Sequence, residues 1–332
     1  MTTDVLDPCS AAGLLALQSL PRVGPATALK AALAPGDRRD VLERFGESRL
    51  AAAAEQAQCV LQRHADDGIE VIGFFDERYP DRLRHLSDPP PVLYVRGDAT
   101  LLAHDDLVAV VGTREPTVFG TTAAEHLTDA LAGDGWGIVS GLATGIDTIA
   151  HRVAVQRGAP TIAVMGGGLD KTYPAENREL AAAIVEHGGA LVSEQPHGVP
   201  PRPSHLVARD RLQSGLSLAV LVVQCGLKSG TLHTARFAAQ QGRRVFCPVP
   251  HNENGASEGL RVLLERPARE LCGVLPAWHG QDALCSQLPE RPLAEPIKRD
   301  DTAGFLREVQ MLRQWIEMRR NPDALFGPLD ED

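Results

Sequence analysis

The chain has 332 residues, 43% of them hydrophobic, with 31 glycines and a formal net charge of −10. That length suits one sizeable α/β domain with one or two small modules, and the acidic balance argues against coating nucleic acid through a broad basic surface, so any such contact has to be local. The cysteines Cys9, Cys59, Cys225, Cys247, Cys272 and Cys285 form no C-x-x-C pair, and the start MTTDVLDPCS has neither a basic nor an apolar leader region. With no apolar run of about 18 residues either, a reduced cytoplasmic protein without membrane contact is expected.

In chain order, residues 1–66 are Ala- and Leu-rich with helical periodicity, broken by Leu20-Pro21-Arg22-Val23-Gly24-Pro25. This reads as a small helical module, either a plain bundle or a helix-hairpin-helix turn able to hold a phosphate. Residues 66–98 offer two short strands around a proline-rich crossing. Strands are then expected at Leu107–Val111, Gly137–Ser140, Thr161–Met165, Ala190–Ser193, Leu218–Val223 and Arg244–Pro248. Helices are expected at Gly120–Ala132, Thr148–Arg157, Pro174–His187 and Thr231–Gln241. Strict β-then-α alternation predicts an α/β fold, a doubly wound, mostly parallel sheet spanning 67–275. Residues 276–332 read as a Pro-rich linker, a helix at Thr302–Arg320 and an acidic end, a short helical C-terminal tail.

Ligands of such sheets bind beyond the carboxyl ends of the strands, where this chain places its glycine turns. Gly112-Thr113-Arg114 offers a gap, a hydroxyl and a guanidinium suited to phosphate, or else a plain surface turn. The turn is not G-x-G-x-x-G, which disfavours a nicotinamide dinucleotide. In Ser140-Gly141-Leu142-Ala143-Thr144-Gly145-Ile146-Asp147, Asp147 is expected as the N-cap and His151 as a packed residue; half a metal site is the alternative, but no second ligand pair follows at the needed spacing. Gly166-Gly167-Gly168 at a strand end predicts close backbone approach to a ligand, or a ligand-free turn. Arg202, Arg209 and Arg211 form a basic island, read as a run of phosphate contacts or as a solvated face with Asp210 pairing its neighbours. Lys228-Ser229-Gly230-Thr231 opens a helix as an anion cradle, or caps it.

Together VAVVGTR, SGLATGIDTIAH, TIAVMGGGLDKTYPAENREL, SEQPHGVPPRPSHLVARDRLQSGLSLAVLVVQ and SGTLHTARFAAQQGRRVFCPVP resemble the DNA-processing protein A family, DprA or Smf, over about Leu14 to Val274. The resemblance implies an extended Rossmann fold that binds single-stranded DNA, commonly as a homodimer, and loads a RecA-type recombinase during DNA uptake. It implies no enzymatic activity, no metal and no cofactor. Its strand-binding pocket, carried onto this sequence, uses Arg114, Gly141, Gly166, Arg209, Arg211 and Ser229-Gly230-Thr231.

The sequence departs from the family pattern in places. Where the family usually reads Phe-x-x-Arg-Asn-Arg, this chain has Leu206 and Asp210; its usual strand-end glutamate is Gln224, and its Gly-Thr-Asn loop reads Asn254-Gly255-Ala256-Ser257. Loss of a stacking aromatic and gain of a carboxylate predict weaker strand binding. The family's winged-helix-like C-terminal module is not recognisable here. The alternative function is a nucleotide-binding or nucleotide-sensing Rossmann-like protein, akin to phosphoribohydrolases or serving defence against foreign DNA. The turn opening the Thr231 helix lacks the catalytic glutamate a hydrolase would need.

Overall fold

A computed structural model describes residues 7–34, 43–251 and 255–320, with side chains to 316 in the last helix. The extreme start of the chain, Asn254 and the acidic end lie outside the described residues. Among those described, nine strands follow one another as β1 Ile69–Gly73, β2 Val92–Gly97, β3 Leu107–Val111, β4 Gly137–Ser140, β5 Thr161–Met165, β6 Ala190–Ser193, β7 Ala219–Val222, β8 Arg244–Pro248 and β9 Ala294–Ile297. The chain divides into two compact units, Met1–His104 with Thr161–Leu216, and Asp105–Pro160 with Ser217–Asp332.

In the first unit the strands run in the order β1-β2-β6-β5. β5 and β6 are parallel, whereas β1/β2 and β2/β6 are antiparallel, so the lead-in at 66–98 becomes the antiparallel edge of a mostly parallel arrangement. Helices Ala11–Ser19, Pro25–Leu33 and Glu47–Asp66 bury a small cluster that includes Leu17, Leu20, Val23 and Ala57. Ser10 starts the first of them by accepting a hydrogen bond from the Gly13 amide at 3.0 Å, a conventional N-cap.

The second unit is wholly parallel where its pairing is defined, in the order β4-β3-β7-β8-β9. β3, β4 and β7 are buried along their whole length because both faces are covered. Val108, Val110, Leu221 and Phe246 pack with Leu127, Leu131, Ala150 and Ala154 of helices Val118–Gly133 and Ile146–Arg157. The alternate residues Ala109, Val111, Val220 and Val222 are equally buried and, by the period of two along a strand, face the other side.

Two elements differ from the sequence expectation. Helix Pro203–Leu216 occupies the basic island; it has no apolar stripe to announce it, because its inward side carries Arg209, Asp210, Arg211 and Gln213. The Pro-rich stretch after 275 is more than a linker. Trp278 is fully buried, its indole N–H donating to Leu232 O at 3.1 Å, and β9 pairs with β8. Pro296 fits there because β9 is an edge strand, where a missing donor is tolerated. Phe305 and Val309 of helix Thr302–Arg320 join the core of this unit.

The expectation of free thiols is also corrected for one pair: Cys272 and Cys285 are disulfide-bonded, with Cα atoms 6.4 Å apart. Their sequence separation of 13 closes a short loop, and a crosslink of that size is worth about 3 kcal/mol through the unfolded chain. Cys285→Ser should therefore lower stability in urea by about 3 kcal/mol under oxidising conditions and far less with dithiothreitol present. An equal loss in both conditions would assign the effect to packing around Cys285 and not to the bond.

Candidate functional site

In the second unit, the turn after β3 is held from two sides. The Thr113 amide donates to Gln224 O at 2.8 Å, and Thr113 O accepts from the Ile146 amide at 3.2 Å. Gln224, fully buried at the end of β7, reaches further: its Oε1 accepts from the Thr117 amide at 2.9 Å, and its Nε2 donates to Thr117 Oγ1 and Ser257 Oγ, both at 2.9 Å. A neutral amide thus ties the turn after β3 to the segment after β8, and removing it would strand buried partners at about 1–3 kcal/mol. Arg114 stands exposed beyond this clamp.

The loop after β4 approaches the same turn. Gly145 has φ +80, and a Cβ there would lie 2.4 Å from Thr113 O, so only glycine fits. Leu142 is itself left-handed at φ 56, a conformation costing about 1–3 kcal/mol for a residue with a side chain. The Asp147 carboxylate offsets this by accepting from the Gly141 amide at 3.1 Å and the Ala143 amide at 3.3 Å. The expected N-cap role of Asp147 is corrected accordingly: Gly145 is the N-cap and Asp147 lies in the first turn, folded back onto the loop. Gly141 is buried and its N–H points at this internal carboxylate, as an anion-binding nest would at a ligand. His151 is fully buried one turn on.

Lys228 and Gly230 are exposed, with Ser229 and Thr231 half-buried. Helix Thr231–Gln240 has Gly230 as its N-cap without a side-chain cap bond. Ser229 Oγ lies 3.0 Å from Thr231 Oγ1 and accepts from the Thr231 amide at 3.3 Å. The hydroxyls therefore shape the turn and leave the lysine facing solvent.

The first unit carries the other candidates, and here the sequence expectation changes most. The close approach at Gly166-Gly167-Gly168 is to the chain itself. A Cβ on Gly166 would sit 2.7 Å from Leu206 Cδ2, and one on Gly167 would sit 2.9 Å from Pro201 N. Arg209 and Arg211 are only 5% and 6% exposed. Arg209 Nε donates to Asp210 Oδ1 at 2.8 Å and its Nη1 donates to Val164 O. Arg211 forks onto Glu194, Nη1 to Oε1 at 2.9 Å and Nη2 to Oε2 at 2.6 Å, and also pairs with Asp88. Burial alone would lower the Arg211 pKa, but the Glu194 hydrogen bond and charge outweigh it and hold it above the ordinary value. Both guanidiniums thus face protein partners instead of solvent, because the helix that carries them turns them inward. Arg202, just before that helix, is exposed.

Sequence reasoning missed a histidine contact behind this loop. His64 Nδ1 lies 2.6 Å from Val60 O, and His64 Nε2 accepts from the His197 amide at 3.1 Å. Its ring stacks on Tyr94 with centroids 4.5 Å apart. No local motif flags it, since the partners are remote in sequence.

A family profile described as DNA recombination-mediator protein A matches residues 70–276. The chain belongs to this family. Among its relatives, DNA processing protein DprA of Bacillus subtilis is 38% identical over 232 residues, covering 70% of this chain and 75% of that protein. Protein Smf of Escherichia coli is 43% identical over 192 residues, 58% of this chain, and the chain spans only 51% of that relative's length. The crystal structure of DprA from Streptococcus pneumoniae superposes with TM-score 0.64 at 29% identity, covering 84% of this chain and 98% of that one. A structure of DNA processing protein A from Helicobacter pylori, described for its single-stranded DNA binding mode, gives TM-score 0.54 at 33% identity, covering 59% of this chain and 86% of that one. The α/β, Rossmann-like, mostly parallel fold expected from the sequence is that of the DNA recombination-mediator protein A family.

The His64 geometry generates a pH prediction. With Nδ1 donating to a carbonyl and Nε2 accepting from an amide, only the neutral ring fits, and burial lowers its pKa below the usual 6.5. The unfolded chain then takes up a proton that the folded one refuses, so this stability is present above the ordinary histidine pKa and is lost as pH falls toward the folded value. Urea unfolding between pH 7.5 and 5 should show that decline in the wild type and a flatter profile in His64→Phe. Identical slopes would dismiss His64 as the source.

Proposed function

We propose that the protein is a DNA-processing factor that binds single-stranded DNA in DNA uptake or recombination, without catalysing a reaction on it, and passes it to a RecA-type recombinase. A cytoplasmic homodimer completes the reading. Among the described residues no helix is long and apolar enough to cross a membrane. What carries the reading is the exposure of Arg114 and Lys228 at glycine turns, and of Arg202 in the proline-rich segment before helix Pro203–Leu216, in a chain whose net charge is −10. Few cations, each shortly before a helix start, suit a limited set of phosphates.

On this reading Gly112, Thr113 and Arg114 hold phosphate with Lys228, Ser229, Gly230 and Thr231 in one unit, and Arg202 does so in the other. Arg209, Arg211, Gly141, Gly166 and Gly167 shape the backbone that presents them. The single-stranded DNA binding described for the Helicobacter pylori relative supports the choice of strand.

Titration with a single-stranded oligonucleotide, a duplex of the same sequence and free nucleotides at two salt concentrations tests it. The single strand should bind most tightly, with log affinity falling against log salt by about 0.7 per phosphate contacted. Arg114→Ala, Arg202→Ala and Lys228→Ala should each weaken binding of every sequence and reduce the slope by about that unit. Equal or tighter binding of duplex, or preference for a free nucleotide, would overturn the reading.

A further inference from the structure

The carboxyl end of β8 and β9 carries a cavity of about 450 Å³ that the phosphate-turn reading does not use. Pro248 ends β8 and Ile297 ends β9; with Phe119 and Leu127 they make its apolar wall, and Lys298 and Arg299 stand on its rim beside Asp300. A volume in the range of small-ligand pockets, mostly apolar with a few placed polar groups, is the usual form of a ligand site. Carboxyl strand ends are its usual place in such sheets.

Three observations narrow the ligand. Phe119 offers an aromatic ring, packed edge-to-face with His251 at 6.0 Å between centroids, while its neighbour Val118 is 84% exposed. Lys298 and Arg299 are exposed, and neither is ion-paired among the described residues. Finally, the cavity is mechanically continuous with the turn after β3. Ser257 lines it and is bonded to Gln224, whose carbonyl holds the Thr113 amide, and Val118 lies four positions after Arg114. A flat, apolar-faced group attached to an anion answers this combination. In a strand held by its phosphates at Arg114, that group is a nucleobase.

We propose that this cavity receives one unstacked base of the bound single strand, its face against Phe119 and its adjoining phosphate on Lys298 and Arg299. The inference rests on the single-strand reading above and adds a subsite to it. Lys298 and Arg299 lie beyond residues 70–276 matched by the family, whereas Phe119, Pro248 and His251 lie within them. His126 Nε2, 2.8 Å from Thr302 Oγ1, joins that tail to helix Val118–Gly133 beside the cavity.

The test uses the full chain and a set of oligonucleotides, each with 4-thiothymidine or an abasic site at one position. Photocrosslinking should map one position to Phe119 or His251, and an abasic site there should weaken binding about tenfold, as should Phe119→Ala. The two losses should not add. Lys298→Ala/Arg299→Ala should lower the salt slope without lowering the melting temperature; it keeps the proposal testable should Phe119→Ala fold poorly. Wild-type binding to the strand with no abasic effect at any position, no crosslink, and an unaltered Lys298→Ala/Arg299→Ala variant would overturn the subsite while leaving the strand reading intact. Failure of the wild type to bind any single strand would overturn both. Crosslinking or competition by free nucleotide, with the abasic series flat, would also refute a role in holding the strand.

Discussion

A guanidinium taken out of water has to be met by a carboxylate in good geometry, and the fork of Arg211 on Glu194 sets the arrangement of the first unit around it. Desolvating such ions costs several kcal/mol apiece; two parallel charge-assisted bonds, with Asp88 and the Ala208 carbonyl on the remaining donors, offset it. The pair joins helix Pro203–Leu216 to the end of β6 and to the segment before β2. Gly166 lets that helix come close enough for the pair to form, since any side chain there would meet Leu206. Arg202 is left outside, immediately before the helix.

This arrangement gives the departures from the family pattern a structural meaning. Leu206, in place of an aromatic, packs on the glycine turn, so its side chain reports on packing within the unit. Asp210 sits beside Arg209 and is bonded to it, supplying a partner that a buried guanidinium requires. Gln224 serves the second unit in a comparable way with a neutral amide, whose donors and acceptor each find a partner. Asp210 and Gln224 are thus both engaged by protein partners.

The strands were legible in the sequence because buried parallel strands are continuous apolar runs bounded by glycine. β3, β4, β5, β6 and β8 begin and end where the pattern breaks, and β7 is one residue shorter at each end than expected. The glycine turns after β3 and β4 were legible for the same reason. What was hidden depends on partners far along the chain. The arginine island reads as a run of phosphate contacts or a solvated face until Glu194 is placed beside it, and Asp147 reads as a helix cap until the Gly141 amide turns back onto it. β9 is a four-residue strand containing proline, below the threshold of any periodicity. The Cys272–Cys285 bond has no short motif to declare it.

On the proposed reading, the buried arginines build the site and the exposed cations contact the strand. The affinity of Arg211→Met/Glu194→Leu for a single-stranded oligonucleotide tests it most directly, because replacing a buried ion pair by apolar groups of similar size is commonly neutral for folding. The double variant should fold and bind the strand within about threefold of wild type, with the same salt slope. A folded double variant that binds tenfold more weakly, with its slope reduced by about one phosphate contact, would instead show that Arg211 grips the strand itself.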